Sequence, residues 1–138
     1  MIIPSSKNKL EIKIYYEDTD AAGIVYHSKY LNFAERARTE FLRSSGFEQS
    51  YIFKEFGMRF VVKKIDVNYI GYAVLDNTIS VNTYITHANR AKVIFKQDIF
   101  NGSKKITNLE VLVTCINNHG RVARMPNALY YNFIKEGK

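Results

Sequence analysis

Residues 28–45 read SKYLNFAERARTEFLRSS, and the spacing of their apolar members decides the fold. Tyr30, Phe33, Ala34, Ala37 and Phe41 recur at helical intervals and form one stripe, with Asn32, Glu35, Arg36, Thr39 and Arg43 on the opposite side. Ser28 stands where an N-cap belongs, and Gly46 marks the stop. This is the longest helical pattern in the chain; a shorter, weaker one spans Glu48–Glu55. One charge breaks the pattern. Arg38 falls between Ala34 and the Leu31/Leu42 flank, where it must either snorkel to solvent or meet a carboxylate.

Outward from this helix the period changes to that of strands. Residues 10–18 (LEIKIYYED) alternate, with Ile12, Ile14 and Tyr16 on one face. After Gly57, residues 58–70 form a long strand, and Asp76–Asn77 mark a turn. Residues 78–87 set Ile79, Val81, Thr83 and Ile85 against Ser80, Asn82, Tyr84 and Thr86. Residues 92–100 and 105–117 are joined by the hairpin signal Asn101-Gly102, and a turn follows at 118–120. Met125–Glu136 predicts a short C-terminal helix with its boundary near Pro126. The plan is α+β: a long helix, then a four-stranded antiparallel meander with an extra N-terminal strand, about five strands wrapping the helix.

The chain has 138 residues, one domain's worth, so residues 1–138 are read as a single domain. Its 46% hydrophobic and 14% aromatic content exclude a disordered chain, and two prolines with seven glycines leave no linker. No apolar run approaches the roughly 18 residues that span a bilayer, and MIIPSSKNK lacks the apolar core of a secretory signal. Cys115 is the only cysteine and lies in the apolar run LEVLVTCI, where it reads as a buried thiol. Cytoplasm is the expected compartment. The formal charge of +7 admits an anionic partner, but the cations are spread along the chain and nucleic acid is not the expected one.

Between the first strand and the long helix, Glu17, Asp18 and Asp20 place three carboxylates in four residues. A calcium loop fails, because Ala22 replaces an oxygen ligand and Lys29 stands where the closing Glu belongs. No metal and no cofactor are expected. A solvated turn is the plain alternative, yet IKIYY and IVY flank the segment and favour partial desolvation of at least one carboxylate. The third reading is catalysis. A carboxylate near a helix N-terminus stands beside free N–H groups that can stabilise negative charge on a carbonyl oxygen. That carboxylate can attack the carbonyl or activate a water. Ala21-Ala22-Gly23 keeps the approach open, and His27 at the helix start offers a backbone N–H, a ring hydrogen bond, or neither.

Tyr16-Glu17-Asp18-Thr19-Asp20-Ala21-Ala22-Gly23-Ile24-Val25-Tyr26-His27, followed by Tyr30-Leu31 and Glu35-Arg36-Ala37-Arg38-Thr39-Glu40, resembles the signature of the 4-hydroxybenzoyl-CoA thioesterase-like hotdog proteins. Among them it is most similar to the Tol–Pal-associated (YbgC-like) acyl-CoA thioesterase branch, and the likeness continues through Phe60–Lys64 and Glu110–Val113. The resemblance implies a hotdog fold, a long central helix wrapped by an antiparallel sheet. It implies hydrolysis of an acyl-CoA, or acyl-carrier-protein, thioester by a dimer or tetramer with active sites between protomers. The catalytic Asp falls on Asp20, with Gly23, Tyr26 and His27 as the loop and oxyanion residues, His27 also being a catalytic candidate. Glu40 is the fallback nucleophile, since some related enzymes carry their carboxylate on the helix; Glu35 reads as a solvated partner of nearby arginines. CoA phosphates call for cations, and Arg90 with Lys92 are the first candidates, Lys63, Lys64 and Arg124 the weaker ones. The rival reading is a non-catalytic module that binds a carrier protein or an envelope complex.

Overall fold

The structure, a computed structural model, describes residues 8–136. Its strands are β1 (Lys9–Lys13), β2 (Arg59–Tyr69), β3 (Thr78–Ala88), β4 (Val93–Asn101) and β5 (Lys104–Ile116); its helices are α1 (Lys29–Ser44), α2 (Gln49–Phe56) and α3 (Asn127–Glu136). A 3-10 turn covers Tyr16–Asp18. The five strands form one antiparallel sheet in the order β1-β3-β4-β5-β2. The α+β plan with a long helix against a five-stranded sheet is therefore the one the sequence predicts.

Two expectations change. The predicted meander holds only for β3, β4 and β5; β2 leaves its sequence neighbour and pairs with β5 at the opposite edge. Eight residues, 70–77, separate β2 from β3. That is too long for a tight hairpin, and its reach of roughly 26 Å readily crosses three strand spacings of about 4.8 Å. Gly71 lets this crossover press against the start of β5. Both Ile70 and Gly71 N–H groups donate to the Ile106 carbonyl, and a Cβ at Gly71 would stand 3.2 Å from Ile106 Cγ2. The second change is in β1, which ends at Lys13 rather than running to residue 18. The chain then turns, and Tyr16 is 81% exposed instead of joining Ile12 and Ile14 in the core.

The stripe on α1 buries as its spacing demands: Tyr30, Phe33, Ala34, Ala37 and Phe41 are all in the core, joined by Leu42. Ala34 and Ala37 are small, so the helix lies close on the sheet against Ile79, Val81 and Ile85 of β3. Ser28 holds the N-cap position but makes no side-chain capping bond. From Phe41 a row of edge-on rings runs through Phe95 and Phe133 to Phe60, so α3 closes the end of the core. Phe41, Phe95 and Phe133 are buried, each worth about 1.5–3 kcal/mol, while Phe60 is half-buried at the end of the row.

No helix among the described residues is long and apolar enough to cross a membrane. Cys115 lies on β5 with 0% exposure, and burial pushes its thiol up to about 12. We expect Cys115 to resist thiol reagents at pH 8 in the folded protein and to react fully once the chain is unfolded in denaturant. Rapid labelling of the native protein would contradict the packing around β5.

Candidate active site

The segment Asp18–His27 is a miniature hairpin tied to the crossover. Thr19 and Val25 form an antiparallel bridge, with the Asp20 N–H donating to Ile24 O (2.9 Å) and the Tyr26 N–H to Asp18 O (3.0 Å). Ile24 then bridges Val74, and the Val25 N–H donates to Ala73 O (2.9 Å). The turn closes at Gly23, whose φ of +80° is one that L side chains rarely adopt and whose N–H donates to Asp20 O (2.9 Å). Gly23 is therefore a backbone requirement of the loop. It leaves open space, since a Cβ there would meet nothing within 4 Å.

The three carboxylates of this segment separate by environment. Asp18 is 6% exposed, and its Oδ2 accepts the Tyr15 N–H (2.9 Å), so it shapes the turn. Glu17 is exposed on the 3-10 turn and makes no ion pair among the described residues. Asp20 is exposed at the loop tip. Its Oδ1 accepts the Ala22 N–H (2.8 Å), which fixes the carboxylate's orientation, and no other bond to it is recorded among the described residues. Asp20 therefore offers one held oxygen and one free oxygen.

The loop runs directly into α1. Among the described residues the N–H groups of His27 and Ser28 meet no protein acceptor, while the next one, on Lys29, donates to Tyr26 O (2.9 Å). Such free donors at the positive end of a 16-residue helix suit a developing oxyanion. The His27 ring is exposed, 4.4 Å from the Tyr26 ring and 6.2 Å from that of Tyr69. Tyr69 is the residue that sequence reasoning missed. From the end of β2 its hydroxyl donates to the His27 carbonyl (2.9 Å), which fixes the peptide carrying the Ser28 N–H. Only the crossover brings residue 69 to residue 27, and strand periodicity contains no sign of it. Tyr30 adds a second tie: its hydroxyl accepts the Ala73 N–H (3.0 Å), and burial raises its pKa from the ordinary value.

The structure thus brings Asp20, Gly23, Tyr26 and His27 together and leaves the predicted phosphate-binding cations elsewhere. Arg90 and Lys92 belong to the β3–β4 turn, the full length of an 11-residue strand, about 35 Å, from the β3 end that carries the loop. Arg90 is also engaged: it stacks on Tyr130 (5.0 Å), hydrogen-bonds Asn127, and its carbonyl accepts the Met125 N–H, all of which dock α3. Lys63 and Lys64 are exposed mid-strand on β2, beside a bulge, with Lys64 3.6 Å from Asp66. Arg124 is exposed on the stretch between β5 and α3. Glu40 pairs with Arg43 and lies about 18 Å of helix beyond Ser28. Among the described residues no three of His, Cys, Asp or Glu gather as a metal-holding group.

Comparison with known proteins places this loop in a family context. A sequence model of the thioesterase-like superfamily matches residues 15–133. The chain is 40% identical over 128 residues to the acyl-CoA thioester hydrolase YbgC of Escherichia coli O157:H7, covering 92% of each. It is 39% identical over 106 residues to the acyl-CoA thioesterase YbgC of Haemophilus influenzae, covering 77% of this chain and 78% of that one. Among solved structures, a probable thioesterase from Bartonella henselae superposes with a TM-score of 0.83 at 32% identity, covering 86% of this chain and 98% of the other.

The two aspartates should part company in stability. Replacing Asp18 by Ala strands the Tyr15 N–H in a half-buried turn and should cost about 1–3 kcal/mol in urea unfolding. Asp20→Ala removes only an exposed bond and should cost less than about 1 kcal/mol. Equal losses would mean that both carboxylates are structural.

Proposed function

The chain belongs to the thioesterase-like superfamily, and from that membership and the geometry at Asp20 we propose how it works as an acyl-CoA thioesterase. It is a thioester hydrolase: an acyl-CoA and water become a free acid and the CoA thiol. The observation that carries the mechanism is the Asp20 carboxylate, one oxygen held by the Ala22 N–H and the other free, on a loop fused to a helix start with open N–H groups.

The thioester carbonyl oxygen accepts from the His27 and Ser28 N–H groups at the start of α1. Charge grows on that oxygen as the tetrahedral centre forms, so donors fixed in advance stabilise the transition state more than the ground state. In one course the free oxygen of Asp20 attacks the carbonyl carbon, the C–S bond breaks to release the CoA thiolate, and water then hydrolyses the acyl–Asp20 anhydride to the acid and the free carboxylate. In the other, Asp20 takes a proton from a water that attacks, the C–S bond breaks, and that proton passes to the departing thiolate. His27 contributes through its backbone, and its exposed ring forms part of the aromatic wall with Tyr26 and Tyr69. Tyr69 is a positioning residue, because it holds the His27 carbonyl and touches no reacting atom.

The working unit in this reading is a homo-oligomer. β2 is an 11-residue edge strand with one side unpaired, and none of its residues is buried. Val62 on it is 43% exposed, and Tyr69, Ile70 and Tyr72 extend the apolar surface toward the loop. A second copy covering this edge would shield the site from water, and light scattering on the purified protein should give a dimer or a multiple of it. A monodisperse monomer at micromolar concentration would refute that. The free, buried Cys115 is consistent with the cytoplasm as the place of action. The net charge of +7 favours polyanionic substrates, whether CoA esters or an acidic carrier protein. Of the predicted cations, Lys63 and Lys64 share β2 with Tyr69, which bonds the His27 carbonyl, so they rank ahead of Arg90 and Lys92 at the far end of β3 for reaching the phosphates of an extended CoA.

Asp20→Asn should lower kcat on acyl-CoA substrates by about 10²–10⁴-fold, with the unfolding midpoint unchanged. Turnover near that of the wild type would refute the role of Asp20, whereas tight carrier-protein binding with no hydrolysis of any acyl-CoA by the wild type would favour a binding module instead. Tyr69→Phe should lower kcat roughly tenfold with KM within about twofold, the signature of a contact that matters mainly in the transition state.

A further inference from the structure

Among the described residues Arg38 is the one buried cation. It sits on the inner side of α1 with 7% exposure, and its Nη1 donates to Gln97 Oε1 (2.9 Å). Gln97 is fully buried and already committed: its Nε2 donates to Ala34 O (2.8 Å) and to Thr83 Oγ1 (3.0 Å). A guanidinium carries five N–H donors, so one bond to a neutral amide leaves most of them unused. Among the described residues no carboxylate lies within the 4.0 Å of an ion pair. Burial lowers the pKa of the group from its ordinary value, and the charge of nearby Glu35 opposes that. A desolvated cation whose nearest counter-charge is an exposed carboxylate outside ion-pair distance stays costly, and an anion brought to it recovers part of that cost.

Arg38 also lines a groove. Between α1 and β2 a channel begins at Ser28, passes Leu31, Val62 and Ile65, and reaches Arg38, where a second stretch lined by Leu42 and Phe60 continues. Ser28 at the helix start lines one end, Leu31, Val62 and Ile65 supply the apolar wall, Asn32 interrupts it, and Glu35 borders both stretches beside Arg38. Ten residues of helix separate Ser28 from Arg38, about 15 Å, and a helical side chain leans back toward the N-terminus.

We propose that this groove holds the acyl group and that Arg38 selects acyl chains of medium length ending in a carboxylate, the half-thioesters of dicarboxylic acids. This rests on the thioesterase reading of Asp20, which places the thioester at the Ser28 end. The apolar walls take the methylene chain, and the guanidinium receives the distal carboxylate through donors that Gln97 leaves free. Glu35 is exposed at the groove's rim, where solvent screens its charge more than the interior screens that of Arg38.

The test compares three CoA esters of equal length, about six to eight carbons from the reach of the helix: plain alkyl, ω-hydroxy and ω-carboxy. The expected wild-type kcat/KM for the ω-carboxy ester is at least about tenfold above that for the alkyl ester, a difference typical of one paired charge. In Arg38→Met that ratio should fall to about one, and Arg38→Lys should restore part of it. Calorimetry of the free dicarboxylic acid against the monocarboxylic acid reads the same preference without turnover, and Arg38→Met should abolish it. Equal or faster hydrolysis of the alkyl ester, or a preference for the ω-hydroxy ester, overturns the proposal. So does a uniform loss on all three esters in Arg38→Met, which would make the residue structural. A change of assembly mass with the selectivity ratio intact would assign the guanidinium to a subunit contact, and likewise overturns it. If the wild type hydrolyses none of the esters, the thioesterase reading fails, and the calorimetric comparison still decides Arg38.

Discussion

The position of α1 on the sheet depends on one buried amide. Gln97, in the middle of β4, donates to the Ala34 carbonyl of the helix and to Thr83 of the neighbouring strand, and accepts from Arg38 one turn further along. Apolar packing alone tolerates sliding, because Phe33 or Phe41 shifted along the sheet would still be buried. A hydrogen bond to a particular helix carbonyl does not tolerate it, since an unmade bond in the core costs the full desolvation of both groups. Ala34 and Ala37 make the bond geometrically possible by letting the helix backbone approach β4. The axial position of α1 then sets where its first N–H groups stand, and the proposed oxyanion site rests on those groups.

The other end of the site is fixed by the crossover between β2 and β3. Residues 70–77 touch the start of β5 through Ile106, the loop through Ile24 and Val25, and the helix through Tyr30. One irregular segment thus positions loop, helix start and strand relative to one another. Its backbone groups are largely satisfied by those contacts, which is what allows a non-repetitive stretch to serve as a rigid support. Tyr69 shows the consequence: the last residue of β2 reaches a carbonyl 42 positions earlier in the chain.

Periodicity carried the fold a long way and then stopped for identifiable reasons. The stripe on α1 and the alternation of Ile79, Val81, Thr83 and Ile85 are set by burial, and both are correct residue by residue. The partner of β2 is invisible to alternation, because pattern says which face is buried and nothing about which strand lies alongside. Tyr16 failed differently: the Asp18 carboxylate captures the Tyr15 N–H and turns the chain before the strand pattern ends. At the candidate site, Asp20, Gly23 and His27 stand out in the sequence because they are contiguous and carry specific chemistry, and their roles belong to the proposal. Tyr69 was not, since its role exists only through the crossover. Arg38 was legible as an anomaly, but its partner is a neutral amide on a strand 59 residues away, neither the solvent nor the carboxylate that charge balance suggests.

Charge at the surface follows a different logic from charge in the core. Twenty Lys and Arg against 13 Asp and Glu give a net +7, yet the exposed cations do not converge on the loop, and Arg90 is occupied with α3. A diffuse positive field still raises the encounter rate with a polyanionic ester, and it does so without a tight phosphate clamp. That division suits a hydrolase whose product, free CoA, carries the same phosphates as its substrate. Binding the phosphates strongly would hold both alike and slow release, whereas contacts made at the thioester and along the acyl chain are lost when the bond is cut. Discrimination is better placed in the groove beside α1 than in a cluster of surface lysines.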